Sequence, residues 1–236
     1  CGLIGGSMAL SWKRAGIVDE VIAFGHNPAT LQKALDKGAA DTVTTSMEEA
    51  VKDADIVVSA VPVEAMESVF TEMAPFLKSD AVVTDVGSTR QTVIAAARKG
   101  LGDKFHQYAP AHPIAGGEMP GVDYASADLF DEKVVISTPD EGMDPKVVTF
   151  IEEAWRKAGA RVQAMSPLQH DLTFASVSHL PHVLAYALVD MIAREENAQE
   201  KLKMAGAGFR DFTRIASSSP VMWRDICLSN REAIRV

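Results

Sequence analysis

The chain has 236 residues, 47% of them hydrophobic and 23% charged, with a formal net charge of −9. That length suits two cores better than one, and the acid excess speaks against a general nucleic-acid binder, which would carry a basic surface. Cys1 and Cys227 lie far apart with no CxxC spacing, so neither a disulfide framework nor a zinc site is expected, and the cytoplasm is the default setting. No apolar run approaches the ~18 residues of a membrane span, so no membrane partner is expected.

The chain opens on CGLIGGSMAL, with Gly2, Gly5 and Gly6 leading into a small and apolar run. VIAF (21–24) reads as a short strand. Asn27 then caps a helix with Pro28 at its first position, and Gly38 ends it. Ser46 and Glu49 have capping-box spacing. IVVSAV (56–61) is a buried-strand run stopped by Pro62, and a helix with Met66, Val69, Phe70 and Met73 on one face follows. AVVTDV (81–86) is the next strand, and 89–100 reads as a helix. VVIST (134–138), a helix over 145–158 and a strand near 161–165 close this half. Beyond Pro167 only helical signals remain, over 168–195, 198–205 and from Pro220. The expected fold is therefore an α/β Rossmann-type doubly wound parallel sheet followed by an all-α second domain. The expected boundary lies near residue 166, giving an α/β, Rossmann-like domain over 1–165 and a helical domain over 166–236.

In a doubly wound fold the first strand feeds a G-x-G-x-x-G turn at a helix N-terminus, where free N–H groups meet a pyrophosphate. Gly2 and Gly5 fit the second and third glycines, with Leu3 and Ile4 between them. The first glycine and its strand would precede Cys1, so the sequence reads as beginning inside this loop; the resemblance given below implies that it also stops short at its C-terminal end. The residue ending the second strand selects the cofactor. Gly25, His26 and Asn27 stand there, with no carboxylate to repel a 2′-phosphate. This favours NADP over NAD, although His26 also reads as a solvated loop residue. Val61, Pro62 and Asp85, at the ends of the next two strands, complete the expected cofactor contacts.

Two loops at strand ends carry candidate chemistry. In DVGSTR (85–90), Ser88 is either a contact for a substrate hydroxyl and the nicotinamide or a helix cap. In APAHPIAGGEMPGV (109–122), His112 lies between two prolines. A free imidazole titrates near ~6.5, which suits a general base; the alternative is a structural histidine bonded to a backbone carbonyl. His179 and His182 have a spacing that invites a metal, but Pro181 and the lack of a nearby carboxylate argue against one. Arg214 with Ser217–Ser219 could grip a carboxylate, or it belongs to a salt-bridged surface with Arg210, Asp211, Arg224 and Asp225.

Taken in order, GLIGGS (2–7), DVGSTR (85–90), HPIAGGEMPGV (112–122) with LF (129–130), HD (170–171), SHLPH (178–182) and GFRDFTRIA…MW (208–223) resemble the prephenate/arogenate (cyclohexadienyl) dehydrogenases of tyrosine biosynthesis. The resemblance implies oxidative decarboxylation of prephenate or arogenate with hydride transfer to NAD(P)+. It implies His112 as catalytic base and Ser88 beside the reacting hydroxyl. Arg214 would bind a substrate carboxylate, with His179 and Trp223 lining the pocket. Many relatives have Thr or Ser at Gly117, another expected substrate contact. The resemblance also implies a homodimer built by the helical domain. The rivals are a β-hydroxyacid dehydrogenase-like oxidoreductase and a catalytically inactive dinucleotide-binding regulator. The first would want a lysine between Pro167 and Arg194, where there is none; retention of Ser88, His112 and Arg214 argues against the second.

Overall fold

The computed structural model describes residues 1–117 and 119–235. Two compact units divide the chain, Cys1–His170 and Asp171–Val236. In the first, strands and helices alternate: α1 (Leu3–Arg14), β1 (Ile22–Phe24), α2 (Pro28–Asp36), β2 (Thr42–Thr44), α3 (Met47–Val51), β3 (Ile56–Ser59), α4 (Met66–Met73), β4 (Val82–Asp85), α5 (Gln91–Leu101), β5 (Tyr108–Pro113), β6 (Val134–Ser137), α6 (Pro145–Lys157) and β7 (Arg161–Ala164). β1 and β2 form a parallel pair, and the other five form a sheet in chain order. All of its pairings are parallel except β5 with β6, so the sheet is mixed at one seam rather than wholly parallel.

Local signals set the helix ends. Asn27 Oδ1 accepts the N–H groups of Ala29 and Thr30, with Pro28 behind it, and Ser46 Oγ accepts that of Glu49. Asp144 caps α6 ahead of Pro145, and α6 buries Val148, Ile151, Ala154 and Trp155 along one stripe. The main core gathers Met8 and Trp12 from α1, Met66, Phe70 and Met73 from α4, and Val83, Tyr108 and Val135 from the sheet. Trp12 and Phe130 both meet Trp155 edge-on, with centroids 5.6 and 5.0 Å away. A smaller cluster forms around Leu31, Ala34, Ala39 and Val122.

Two strands escape the sequence reading. β2 is three residues long. β5 occupies part of the segment expected to be a loop, because Pro110 and Pro113 within six residues argue against a central strand. Pro110 nevertheless pairs with Asp85, and the peptide beyond Pro113 rejoins the ladder when Ile114 N–H donates to Val134.

The helix expected over 168–195 is three pieces: α7 (Pro167–Phe174), a π-helical turn (Ala175–His179) and α8 (Leu180–Ala193). α9 (Ala198–Lys203), α10 (Ala207–Thr213), α11 (Pro220–Ser229) and α12 (Arg231–Ile234) complete the second unit. By length and composition alone the 27-residue run Pro167–Ala193 could cross a membrane, contrary to the sequence expectation that no segment is long enough.

Candidate active site

α1 begins at the glycine-rich stretch. Gly2 is its N-cap, no side chain caps it, and no acid stands in its first turn. The N–H groups of Leu3, Ile4 and Gly5 therefore lie at an uncompensated positive helix end. The two glycines do different work. Gly2 has an extended backbone (φ −109°) that any residue adopts, and a Cβ there would meet nothing within 4 Å. At Gly5 a Cβ would come 3.0 Å from Ala60 Cβ, just past β3. Gly5 lets helix and strand pack closely; Gly2 keeps space open in front of the helix. These features fit a bound pyrophosphate.

Gly25 follows β1, exposed His26 stands edge-on to Phe24, and Val61 and exposed Pro62 follow β3 just beyond the Ala60 that Gly5 approaches. Asn27 spends its oxygen on capping α2, which leaves its NH₂ as the donor for a ligand. Gly117 is exposed, and a Cβ there would lie 3.2 Å from Leu3 Cδ2, so this glycine borders the same loop. Glu118, next in the 112–122 motif, lies outside the described residues.

Asp85 requires a correction. It was expected at the cofactor, yet its carboxylate is fully buried and turned inward. Asp85 Oδ1 accepts from Arg90 Nη2 (2.9 Å) and from the Tyr108 hydroxyl (2.5 Å). Its Oδ2 accepts from Gly87 N–H (2.7 Å) and Arg90 Nη1 (3.0 Å). Burial, then the Asp85 charge, pushes the Tyr108 phenol well above its ordinary range, so it stays a donor. Ser88 lies half-buried within this turn. The N-cap of α5 is Arg90, without a side-chain cap, so the helix-cap alternative for Ser88 is not what the structure builds.

His112 sits on β5, past the last β4–β5 pair, Asp85 with Pro110, and opposite Ile136 of β6. This is the carboxyl end of the parallel ladder, where open α/β sheets bind ligands. His112 is 9% exposed, and its Nδ1 lies 2.7 Å from Nε2 of fully buried His170 on α7. Whichever ring carries the shared proton, this contact fixes the plane of His112. The sequence reading passed over His170; the HD pair at 170–171 was its only signal. Arg90 and Tyr108 were also missed, since nothing local marks a buried ion pair.

In the helical unit, Asn230 Nδ2 donates to Asp171 C=O (2.8 Å) and lies 3.0 Å from Nδ1 of buried His179. Trp223 lies edge-on to His179 and stacks on His182, with ring centroids 3.4 Å apart. His182 Nδ1 contacts Ser178 C=O, and burial lowers its pKa. Both rings thus meet Trp223, while the Nδ1 atoms of His179 and His182 contact different groups, Asn230 Nδ2 and Ser178 C=O. Arg214 is exposed and opens a short 3₁₀ turn, Arg214–Ser217. The expected grip by Arg214 with three serines is not formed. Ser217 and Ser218 hydroxyls donate to the carbonyls of Arg214 and Ile215, and Ser219 caps Met222 N–H.

The family described as prephenate dehydrogenase, nucleotide-binding domain, matches residues 8–164, and its dimerization domain matches 166–236. The chain belongs to the prephenate dehydrogenase family. It is 37% identical to the cyclohexadienyl dehydrogenase of Zymomonas mobilis, covering 99% of this chain and 80% of that protein. It is also 37% identical to the prephenate dehydrogenase of Bacillus subtilis, but spans only 63% of that relative's length. The crystal structure of Aquifex aeolicus prephenate dehydrogenase with hydroxyphenyl propionate and NAD+ superposes with a TM-score of 0.92 at 38% identity, covering 99% of this chain and 82% of that one. As a member of the prephenate dehydrogenase family the chain is an NAD(P)-dependent dehydrogenase of the oxidative decarboxylation that leads to tyrosine. Nothing in these likenesses favours a β-hydroxyacid dehydrogenase or an inactive regulator.

Proposed function

We propose that His112 is the general base of this dehydrogenase, acting on the ring hydroxyl of prephenate or arogenate. The carrying observation is the 2.7 Å contact between His112 Nδ1 and His170 Nε2 at the carboxyl end of β5. With its Nδ1 proton donated to His170, His112 holds Nε2 unprotonated and aimed by its partner. The oxidised nicotinamide supplies the acceptor for hydride from the carbon bearing the hydroxyl, while the ring carboxylate leaves as carbon dioxide. His112 Nε2 takes the hydroxyl proton and afterwards returns it to the phenolate oxygen of the product. Ser88 bonds the same hydroxyl and holds it toward the base. Arg214 binds a carboxylate of the substrate, and His179, Trp223 and Gly117 shape its surroundings.

For the cofactor, Gly2, Leu3, Ile4 and Gly5 hold the pyrophosphate, and Gly25, His26 and Asn27 receive the adenosine ribose. Gly25 carries no carboxylate, and His26 and the Asn27 NH₂ can donate, which supports NADP+ over NAD+. We place the enzyme in the cytoplasm, where its two free cysteines suit a reducing medium. The description of its second domain supports a homodimer.

The test crosses prephenate and arogenate with NAD+ and NADP+, for the parent and His112→Asn. We expect turnover highest with NADP+ and kcat lower by about 10²–10⁴ in the variant, the usual worth of a positioned base, with cofactor affinity kept. Near-parent turnover in His112→Asn would overturn the assignment.

A further inference from the structure

We propose that the buried Asp85–Arg90–Tyr108 cluster is a positioning device that holds the strand of His112 and the turn of Ser88 in one fixed relation. This rests on the reading of His112 as base. The argument begins with a gap in the sheet. The last β4–β5 pair is Asp85 with Pro110, so the peptide joining Ala111 to His112 has no ladder partner on the β4 side. Arg90 takes that place: its Nη1 donates to Ala111 C=O at 3.1 Å, one peptide before the base. The same nitrogen donates to Gly87 C=O at 2.8 Å, the residue before Ser88. Asp85 accepts from Gly87 N–H, so the Ser88 turn is held from both sides of Gly87. Tyr108, at the start of β5, donates to Asp85 and accepts from Arg90 Nη2 at 3.2 Å. One guanidinium thus ties the turn after β4 to the first residue of β5 and to Ala111, next to the base.

Stability alone is a poor reason for this arrangement. Arg90 and Asp85 are both wholly buried, and an apolar cluster of equal volume often serves a core as well or better. What such a cluster cannot do is fix a carbonyl on one strand and a peptide in a neighbouring turn with planar, forked donors.

The test is single-turnover formation of NAD(P)H by enzyme loaded with one equivalent of NAD(P)+ and mixed with saturating substrate, in Tyr108→Phe, Arg90→Lys and Arg90→Met. The amplitude reports how many molecules are folded and active; the rate constant reports the geometry within those molecules. Because misplacement of about 1 Å can cost up to about 10²-fold, we expect the rate constant to fall about tenfold in Tyr108→Phe and about a hundredfold in Arg90→Met. Arg90→Lys, which keeps the charge and one donor, should fall between them. Cofactor affinity should stay near that of the parent. Loss confined to amplitude, with rate constants within about twofold of the parent, would make the cluster merely structural and overturn the proposal. If the Arg90 variants do not fold, Tyr108→Phe decides, since it removes one oxygen and keeps the ring in the core. A slow His112→Asn beside a parent-like Tyr108→Phe would defeat this inference alone; a parent-like His112→Asn would defeat the base reading beneath it.

Discussion

Arg214 and His182 show how differently two polar side chains of one unit can be prepared. Arg214 is exposed at the first residue of a 3₁₀ turn whose serines are spent on backbone. Its guanidinium is the group proposed to meet a substrate carboxylate. Arg214→Ala should raise the substrate KM about 10–100-fold, the worth of a charged hydrogen bond, with kcat little changed; steady-state kinetics at saturating cofactor check this. His182 is the opposite case. Burial disfavours its charged form and lowers its pKa, outweighing the contact with Ser178 C=O. The unfolded chain, titrating near ~6.5, takes the proton first, so this residue's contribution to stability is present above that pH and is lost as pH falls toward the lower folded value. Trp223 stacked on it should lose fluorescence with a midpoint below ~6.5, and His182→Asn should abolish that transition. A midpoint at or above the free imidazole value would contradict the burial argument.

At the scale of elements, the α1 N-terminus separates two kinds of glycine. Gly5 is small because Ala60 is close; Gly2 has open space and an unstrained backbone. Gly2→Ala should therefore cost the fold about 1 kcal/mol or less, the range of an N-cap change, yet weaken NAD(P)+ binding. Gly5→Val should lower the melting temperature as well. Thermal unfolding with and without cofactor checks both, and unchanged cofactor affinity in Gly2→Ala would show that no ligand uses that space. The elements were legible wherever apolar runs and caps coincided, as at Asn27–Pro28 and Asp144–Pro145. β5 was not, because its prolines obey a rule that neighbouring β4 and β6 override. The π-helical turn at Ala175–His179 was also hidden, since one extra residue in a turn leaves no compositional trace. In the site, Ser88 was legible from its place after the strand read at 81–86, and His112 from its proline-flanked segment, without the strand that carries it. Their supports were not: His170, Arg90 and Tyr108 lie 58, 5 and 18 residues from the partners they bond, and only folding joins them.

At the scale of the whole molecule the two units differ in what they bury. The first holds both apolar clusters. The second, among the described residues, buries Ala175, Ala185 and Ile226 but exposes Val177, Leu184, Met191, Phe212, Val221 and Leu228. This exposed apolar surface agrees with the family's description of the domain as one of dimerization. Light scattering across a dilution series should give twice the chain mass, and Leu184→Glu should shift it toward the single chain. A monomer at all concentrations would contradict the assignment.

The tryptophans are divided in the same way, with Trp12 and Trp155 packed together in the sheet unit and Trp223 alone among the helices. The order of self-assembly follows. A refolding chain can bury the first pair by itself, in a unimolecular step indifferent to concentration. In the homodimer proposed above, completion of the helical unit waits for an encounter between two chains, so recovery of catalysis should lag behind the first fluorescence change by an interval that shortens as protein is added.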